Sequence, residues 1–267
     1  MTKIYGHRGA SAYAPENTLS AFRLAEEMGA EGIGIDVQCC KDGEAVVIRD
    51  SFFHQISGGR GCVWEYTLKE LKKMDFGEGI PEQYRQEKIA SLDEVLEMIA
   101  HSQMGLNIEL KSSPYCHDPA LAEKIYRSIE NYGTSLKKKV SFSSFDHQCL
   151  REYQKLDPDA KIGLLYNANL RRPGDYARMV GADSIHPYFM MLDEEGVDNC
   201  QELAVEVNVW TVDEPRDIRK MLRWECDCIF TTKPDLAVQC RKDVGLDRVT
   251  AISAVGKRLF AGIGIKG

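Results

Sequence analysis

The feature of this sequence that most constrains its fold is a regular alternation of short apolar segments with longer helical patterns. Eight segments have the composition and alternation of β-strands, and helical patterns separate most of them. The predicted strands cover residues 3–6, 32–37, 106–111, 140–143, 161–165, 183–186, 206–211 and 227–231. A further segment at 45–48 follows a turn and is predicted to be an antiparallel extension. This order is typical of a parallel sheet covered by helices.

The number of strand–helix units predicts how the sheet closes. Eight units within 267 residues fit a single-domain α/β fold, the (β/α)8 or TIM barrel, better than an open doubly wound sheet, which is the alternative. The chain has no Pro/Gly/Ser linker long enough to separate two domains. We predict the barrel over residues 1–240 and a C-terminal extension over 241–267, with one short helix at 251–260. The irregular stretch at 57–84 is predicted to be a loop over one barrel end.

Composition excludes several classes of protein. The chain carries 34 Lys and Arg against 41 Asp and Glu, and a net charge of −7 argues against a nucleic-acid partner held by bulk charge. No apolar run approaches the roughly 20 residues that span a bilayer. The N-terminus lacks the apolar core of a signal peptide, and the nine cysteines are scattered without zinc-site spacing. We therefore predict a cytoplasmic protein with reduced thiols.

Polar residues cluster at the ends of the predicted strands. Active sites of (β/α)8 barrels lie at the carboxyl ends of the strands, so these residues are the candidates for function. They are His7, Arg8, Asp36, Arg49, Glu109, Lys111 and Trp210. A lone buried charge is costly unless it is paired or binds a metal. The alternative is that Glu109 and Lys111 merely pair with each other, or with Arg8, and close the top of the barrel.

The chemistry that this set favours is phosphodiester cleavage. Asp36 and Glu109 offer hard oxygen ligands for Mg²⁺ or Ca²⁺, which also bind phosphate oxygens. Arg8 and Lys111 would neutralise the phosphate, the first through its planar fork and the second as a point charge. His7 is the candidate proton carrier or nucleophile. Together these groups would stabilise the negative charge of the transition state.

Several ordered motifs resemble those of one known family, the glycerophosphodiester phosphodiesterases. The matching motifs are His7-Arg8-Gly9, Pro15-Glu16-Asn17-Thr18, Asp36-Val37, Lys41-Asp42-Gly43, Ile108-Glu109-Leu110-Lys111, Ser143-Ser144-Phe145, Asn208-Val209-Trp210-Thr211 and Thr232-x-Pro234-Asp235. They span roughly residues 4 to 236. The resemblance implies a TIM barrel that uses a divalent metal to hydrolyse glycerophosphodiesters to glycerol 3-phosphate and an alcohol.

Two departures from the family pattern fall within the implied site. The family has Glu-x-Asp in the second strand, where this chain has Gly34 before Asp36, so we expect weaker metal binding. The family has His-Asp after the next strand, where this chain has Arg49-Asp50. Arginine stays protonated and cannot act as an acid or base near neutrality. His54 is a candidate replacement for the missing histidine, or a histidine of the loop without such a role.

These departures leave two functional hypotheses. The first is a phosphodiesterase with impaired or altered catalysis, in which Arg49 adds a positive charge to the phosphate site. The alternative is a catalytically inactive pseudoenzyme that binds a phosphorylated small molecule such as glycerol phosphate. A third possibility on the same scaffold is transfer to a hydroxyl of the substrate, giving a cyclic phosphate. Trp210 is either a wall of the substrate site or part of the barrel packing.

Overall fold

The polypeptide forms a closed barrel of eight parallel strands with helices on the outside. The computed structural model describes residues 1–56, 59–76, 82–85, 87–111 and 120–245. Its strands are β1 (Lys3–His7), β2 (Gly32–Cys39), β3 (Ala45–Val47), β4 (Phe52–Ile56), β5 (Gly59–Cys62), β6 (Ala90–Ser91), β7 (Gly105–Leu110), β8 (Val140–Ser144), β9 (Ile162–Tyr166), β10 (Ser184–Pro187), β11 (Glu206–Val209) and β12 (Cys228–Thr231). The barrel order is β1-β2-β7-β8-β9-β10-β11-β12, and β12 pairs with β1. The predicted barrel is confirmed, and the open sheet is wrong.

Amphipathic helices cover the barrel between successive strands. They are α1 (Leu19–Glu27), α2 (Leu68–Leu71), α3 (Leu92–Ala100), α4 (Ala120–Glu130), α5 (Thr134–Lys137), α6 (His147–Leu156), α7 (Pro173–Val180), α8 (Glu194–Glu202), α9 (Pro215–Arg223) and a last helix over 234–245. Helix α1 begins where the Thr18 hydroxyl accepts a hydrogen bond from the Ala21 amide, and it buries Phe22 against the sheet. No helix among the described residues has the length and apolarity needed to cross a membrane.

The barrel interior depends on positions without a side chain. The Tyr5 ring, on β1, lies where a Cβ on Gly32 would be 2.4 Å from its Cζ, and the Tyr5 hydroxyl lies 2.1 Å from the Cβ position of Gly105. Any larger residue on β2 or β7 at these two positions would displace the ring. The tyrosine therefore fills the interior across three neighbouring strands.

The segment between β2 and β7 is more ordered than the sequence analysis predicts. Strand β3 pairs antiparallel with β2, as predicted, and β6 extends it. Strands β4 and β5 form a separate antiparallel hairpin, so part of the stretch predicted to be a loop at 57–84 contains β5 and the short helix α2. The glycines of β5 lower its intrinsic strand preference, so the residue composition does not predict this strand.

The last described helix fastens the chain end to the start of the barrel. It covers residues 234–245 and so continues past residue 240, at which the predicted barrel ends. Nη1 of Arg241 donates to the Thr2 carbonyl at 2.8 Å and to the Glu31 carboxylate at 2.7 Å. The helix predicted at 251–260 lies outside the described residues.

Candidate active site

The site begins where β1 ends, at a backbone conformation that is unusual for residues other than glycine. Arg8 has φ 60° and Asn17 has φ 61°. The Arg8 amide donates to the Gly34 carbonyl at 2.8 Å, and the Asn17 amide donates to the Arg8 carbonyl at 3.1 Å. These bonds fasten the β1–α1 loop to β2, and the adjacent residues His7 and Arg8 both line the same cavity.

Asp36, on β2, is the buried centre of the charged cluster. Its side chain is 2% exposed, and its Oδ2 accepts hydrogen bonds from Arg8 Nε at 2.7 Å and Asn17 Nδ2 at 2.9 Å. Nζ of Lys111 lies 3.7 Å from Oδ1. Burial opposes ionisation of this carboxyl group, but the charges of Arg8 and Lys111 outweigh it and lower its pKa to about 2.

Glu109, on β7, lies directly beside Asp36 in the register of the two strands. Lys111 Nζ donates to its Oε1 at 2.9 Å. Burial and the negative charge of Asp36 raise the pKa of Glu109 to about 7. The pairing of Glu109 with Lys111 that the sequence analysis weighs is thus present, while Arg8 pairs with Asp36. Both cations still line the cavity.

His7 lies at the end of β1 with one ring nitrogen engaged. Its Nδ1 is 3.0 Å from Oγ1 of Thr211. Burial and the neighbouring Arg8 lower its pKa to about 4, so the imidazole is neutral at neutral pH. A neutral ring oriented through Nδ1 leaves Nε2 for chemistry.

These side chains open into one cavity at the carboxyl end of the barrel. It has a volume of about 500 Å³, including the space at its mouth. The described residues that line it are His7, Arg8, Gly34, Ile35, Asp36, Asn107, Glu109, Lys111, Ser143, Phe145, Leu165, His186, Trp210 and Phe230. Trp210 lines the cavity and also packs edge-on against Phe145, with ring centroids 5.7 Å apart.

A neighbouring aromatic ring lies where a side chain on Gly34 would have to be. A Cβ atom on Gly34 would lie 2.8 Å from Cε1 of Phe230 on β12. The ring reaches past β1, because β1 pairs with both β2 and β12. The place where the family pattern has a carboxylate therefore faces an apolar ring in this chain.

Arg49 lies at the rim of the site and is held by two carboxylates. Its Nε and Nη2 donate to Asp50 at 2.8 and 2.6 Å, and its Nε is 3.5 Å from Glu16 Oε1. The other oxygen of Glu16 accepts from Arg8 Nη1 at 3.0 Å. Arg49 is 43% exposed and lies outside the set of described residues that line the cavity. Its charge is thus connected to Arg8 through Glu16.

The side chain of His54 lies outside the described part of the structure.

A second histidine lines the cavity, is more deeply buried than His7, and is absent from the sequence-based candidates. His186 Nε2 lies 3.1 Å from Ser184 Oγ and 3.0 Å from Asn208 Nδ2. Burial lowers its pKa to about 3. The alternation of the predicted strand at 183–186 places Ser184 and His186 on one face, and the nearby Asn208 would have marked that face as the interior.

The donor set of the cavity fits a hard divalent cation that is held by few protein ligands. Among the described residues, no group of three or more His, Cys, Asp and Glu side chains is arranged to hold a metal ion. Asp36 and Glu109 nevertheless lie side by side in the register of β2 and β7, and burial together with the negative charge of Asp36 raises the pKa of Glu109. Mg²⁺ is commonly bound by one or two carboxylates, with water and substrate phosphate completing the shell. Two adjacent carboxylates meet that requirement.

Comparison with known proteins identifies the family. The sequence model of the Glycerophosphoryl diester phosphodiesterase family matches residues 7–236. A glycerophosphodiester phosphodiesterase of Caldanaerobacter subterraneus subsp. tengcongensis is 38% identical over 237 residues, covering 89% of this chain and 96% of the relative. One from Bacillus altitudinis is 35% identical, covering 91% and 100%.

A solved structure supports the same assignment. The phosphodiesterase of Oleispira antarctica in complex with the product sn-glycerol-3-phosphate superimposes with a TM-score of 0.83 at 26% identity, covering 90% of this chain and 96% of that one. The family match, the two relatives and the barrel agree. The chain therefore belongs to the glycerophosphoryl diester phosphodiesterase family.

Proposed function

We propose that this protein hydrolyses glycerophosphodiesters to glycerol 3-phosphate and an alcohol. The observation that carries the proposal is the single cavity into which His7, two cations and two carboxylates converge. The names of the two bacterial relatives and the product bound to the Oleispira structure support the substrate class. The proposed enzyme class is that of the phosphoric diester hydrolases.

The two cations would bind the phosphate and stabilise charge in the transition state. Arg8 is oriented by Asp36 and Glu16, and Lys111 by Glu109. These carboxylates fix where the positive groups lie before the substrate arrives, which is the requirement for electrostatic stabilisation of a developing oxyanion. Neither cation needs to rearrange during the reaction.

His7 would move the proton. Thr211 holds Nδ1, so Nε2 accepts a proton from the attacking water and returns it to the oxygen of the departing alcohol. Its lowered pKa keeps the ring neutral and able to accept that proton at neutral pH. Arg49 remains protonated and does not share this role.

Asp36 and Glu109 would hold the divalent cation, Mg²⁺ or Ca²⁺. When bound, the ion supplies a Lewis acid for the phosphoryl oxygens. Because Gly34 contributes no ligand, we expect this ion to be held weakly. We further propose that Trp210 forms the wall for the substrate and that Arg49 attracts its anionic group at the mouth of the cavity.

The biological setting follows from the same proposal. The partner is a small-molecule glycerophosphodiester or glycerol phosphate, and the net charge of −7 speaks against nucleic acid. The cytoplasmic location rests on the scattered cysteines, several of which are buried in the barrel.

The proposal is tested by assaying release of glycerol 3-phosphate from glycerophosphocholine and related diesters, with added Mg²⁺ or Ca²⁺ and with a chelator. We expect metal-dependent release that His7→Ala lowers by at least about 100-fold. His101→Ala is the matched control, because His101 is exposed at the end of α3 and pairs with Glu97. Unchanged release by the His7 variant would contradict the assigned role.

A second candidate function is binding without turnover. It is favoured by the apolar ring beside Gly34 and by an arginine that cannot transfer protons. Calorimetric titration with glycerol 3-phosphate separates the two proposals. Binding by folded protein that releases no product from any diester would support the pseudoenzyme, and absence of binding would remove its basis.

A further inference from the structure

A second large cavity lies away from the catalytic one, between the barrel and its helices. It is bordered by the amino-terminal ends of β8 and β9 and by residues of α4, α5 and α6, and has a volume of about 1180 Å³ including its open part. Val140, Phe142 and Ile129 give it an apolar wall. Ligand cavities typically combine such a wall with a few polar groups.

Tyr153 supplies a polar group that the protein leaves unsatisfied. Its side chain, on α6, is 0% exposed and lines the cavity, with its ring against Phe142 at 4.0 Å between centroids. The hydroxyl has no hydrogen-bond partner among the described residues. Burial and the carboxylates of Asp157 and Glu130, which also line the cavity, raise its pKa. A buried hydroxyl without a partner costs free energy, which an acceptor atom in the cavity would recover.

Two lysines at the same cavity are also without partners. The side chains of Lys138 and Lys161 form no ion pair or hydrogen bond within the described part of the chain, and both are exposed. The adjacent Lys137, by contrast, binds Glu130 at 3.1 Å and Asp157 at 3.0 Å. Lys137 offsets only one of these two negative charges, and Asp159 adds a third carboxylate to the lining. The ammonium groups of Lys138 and Lys161 pair with none of the three acids and remain available to an anion.

We propose that this cavity binds a small organic anion that has an apolar body and a second hydrogen-bond acceptor. Its anionic group would contact Lys138 and Lys161, its body would lie against Phe142 and Ile129, and its acceptor atom would accept a hydrogen bond from the Tyr153 hydroxyl. Hydroxyaryl carboxylates have this chemistry. The site is independent of the hydrolysis proposed above, because none of its residues lines the catalytic cavity.

The test is calorimetric titration of the intact protein with 4-hydroxyphenylacetate, in the presence of saturating glycerol 3-phosphate so that the catalytic cavity is blocked. We expect a dissociation constant on the order of 100 μM. Phenylacetate lacks the second acceptor and 2-(4-hydroxyphenyl)ethanol lacks the charge, so each should bind about fivefold more weakly. No binding of the three compounds up to about 10 mM would overturn the proposal.

Variants assign the binding to these residues. Tyr153→Phe should weaken 4-hydroxyphenylacetate about fivefold and leave phenylacetate unchanged. The double variant Lys138→Ala/Lys161→Ala should weaken both carboxylates, whereas Lys155→Ala, which removes an exposed lysine of α6 paired with Glu152, should weaken neither. Binding that survives both changes would refute the site, as would a crystal structure at saturating 4-hydroxyphenylacetate with only a water on the Tyr153 hydroxyl.

Discussion

Asp36 and Glu109 are neighbouring carboxylates whose surroundings drive their ionisation apart. Asp36 receives two hydrogen bonds and faces two cations, which lower its pKa to about 2. Burial and the repulsion of Asp36 raise the pKa of Glu109 to about 7, and among the described residues Lys111 is its one close cation. The difference arises from the β1–α1 loop, which supplies Arg8 and Asn17 to one side of the pair only.

Glu16 is the residue through which Arg49 is expected to influence Arg8. Glu16→Gln removes the charge that holds both guanidinium groups, so Arg8 loses part of its orientation. Exposed ion pairs contribute up to about 1 kcal/mol, so we expect KM, or the dissociation constant for glycerol 3-phosphate, to rise about fivefold. The kcat value should change by less than about twofold, because His7 is untouched.

Steady-state kinetics and calorimetry check this prediction. Glu97→Gln is the control, since Glu97 is exposed and pairs with the exposed His101 at the end of α3. A Glu16→Gln variant that loses kcat while KM stays constant would place Glu16 in the chemical step and contradict a positioning role.

Residue types at the strand ends predict most of the groups that share the cavity, but they miss His186, include Arg49, and do not specify how each side chain is oriented. His7, Arg8, Asp36, Glu109, Lys111 and Trp210 all line it. Arg49 does not, because Asp50, its own neighbour in the chain, binds its guanidinium in two places. That outcome depends on side-chain rotamers, which alternation along a strand does not specify.

At the scale of the elements, Phe230 of β12 limits the size of the side chain that β2 can have at position 34. We expect the double variant Gly34→Glu/Arg49→His to lose about 2 kcal/mol of stability, because the new Cβ meets the phenyl ring at 2.8 Å. Adding Phe230→Val makes room for the carboxylate. The triple variant should then show Mg²⁺-dependent hydrolysis at least about tenfold above the natural protein.

Urea unfolding and product release at graded Mg²⁺ concentrations measure these effects, with Phe230→Val alone as the control. If the natural protein and the triple variant hydrolyse substrate equally fast, Gly34 and Arg49 do not limit catalysis.

The last described helix gives a test of where the barrel ends. A chain ending at residue 240 lacks Arg241, with its bonds to Thr2 and Glu31, and the buried Val244, so we expect it to be about 3 kcal/mol less stable than a chain ending at residue 245. Urea unfolding of both compares them directly. Arg241→Ala in the longer chain should reproduce about 1 kcal/mol of this loss, and equal stability of the two chains would place the boundary at residue 240.

Strands with a strong alternation of apolar and polar residues are predictable from the sequence. Elements whose residues have a weak preference for helix or strand are not. All eight barrel strands lie where apolar alternation predicts them. Helix α7 has a weak sequence signal, because it has only eight residues and begins with Pro173-Gly174; proline suits the first position of a helix, but glycine lowers helix preference. The β4–β5 hairpin contains glycines and a charged residue, and its pairing is decided by contacts that are distant in sequence.

For the whole molecule, the lowered pKa values of the buried His186 and the half-buried His7 predict that stability falls in mild acid. The pKa values of His186, about 3, and His7, about 4, lie below the ordinary value of 6.5. The unfolded chain therefore binds more protons below pH 6.5, and the stability contributed by the neutral rings is lost as the pH falls from 6.5 toward these values. Asp36 acts in the same direction, but only below about pH 4.

Glu109 opposes this trend. Its pKa of about 7 means that the folded protein holds a proton that the unfolded chain releases above its ordinary value of 4.5. The effect of two histidines exceeds that of one glutamate, so the free energy of unfolding should fall by about 1 kcal/mol for each pH unit as the pH falls from 6.5 to 4.5. Urea unfolding at several pH values should show this slope, and His186→Gln should nearly abolish it. His101→Gln, an exposed control, should retain it, and a steep slope in the His186 variant would contradict the prediction.

The left-handed backbone at Arg8 and Asn17 gives Asp36 a structural role that does not depend on catalysis. Both residues hold a costly conformation, and both bind the same oxygen of Asp36. Selection for a folded loop alone would thus retain this aspartate in a lineage that no longer hydrolyses anything. Among the described residues, Glu109 forms no comparable hydrogen bond with the β1–α1 loop, and its partner is Lys111. Persistence of the glutamate, rather than of the aspartate, is therefore the better record of retained catalysis among divergent relatives.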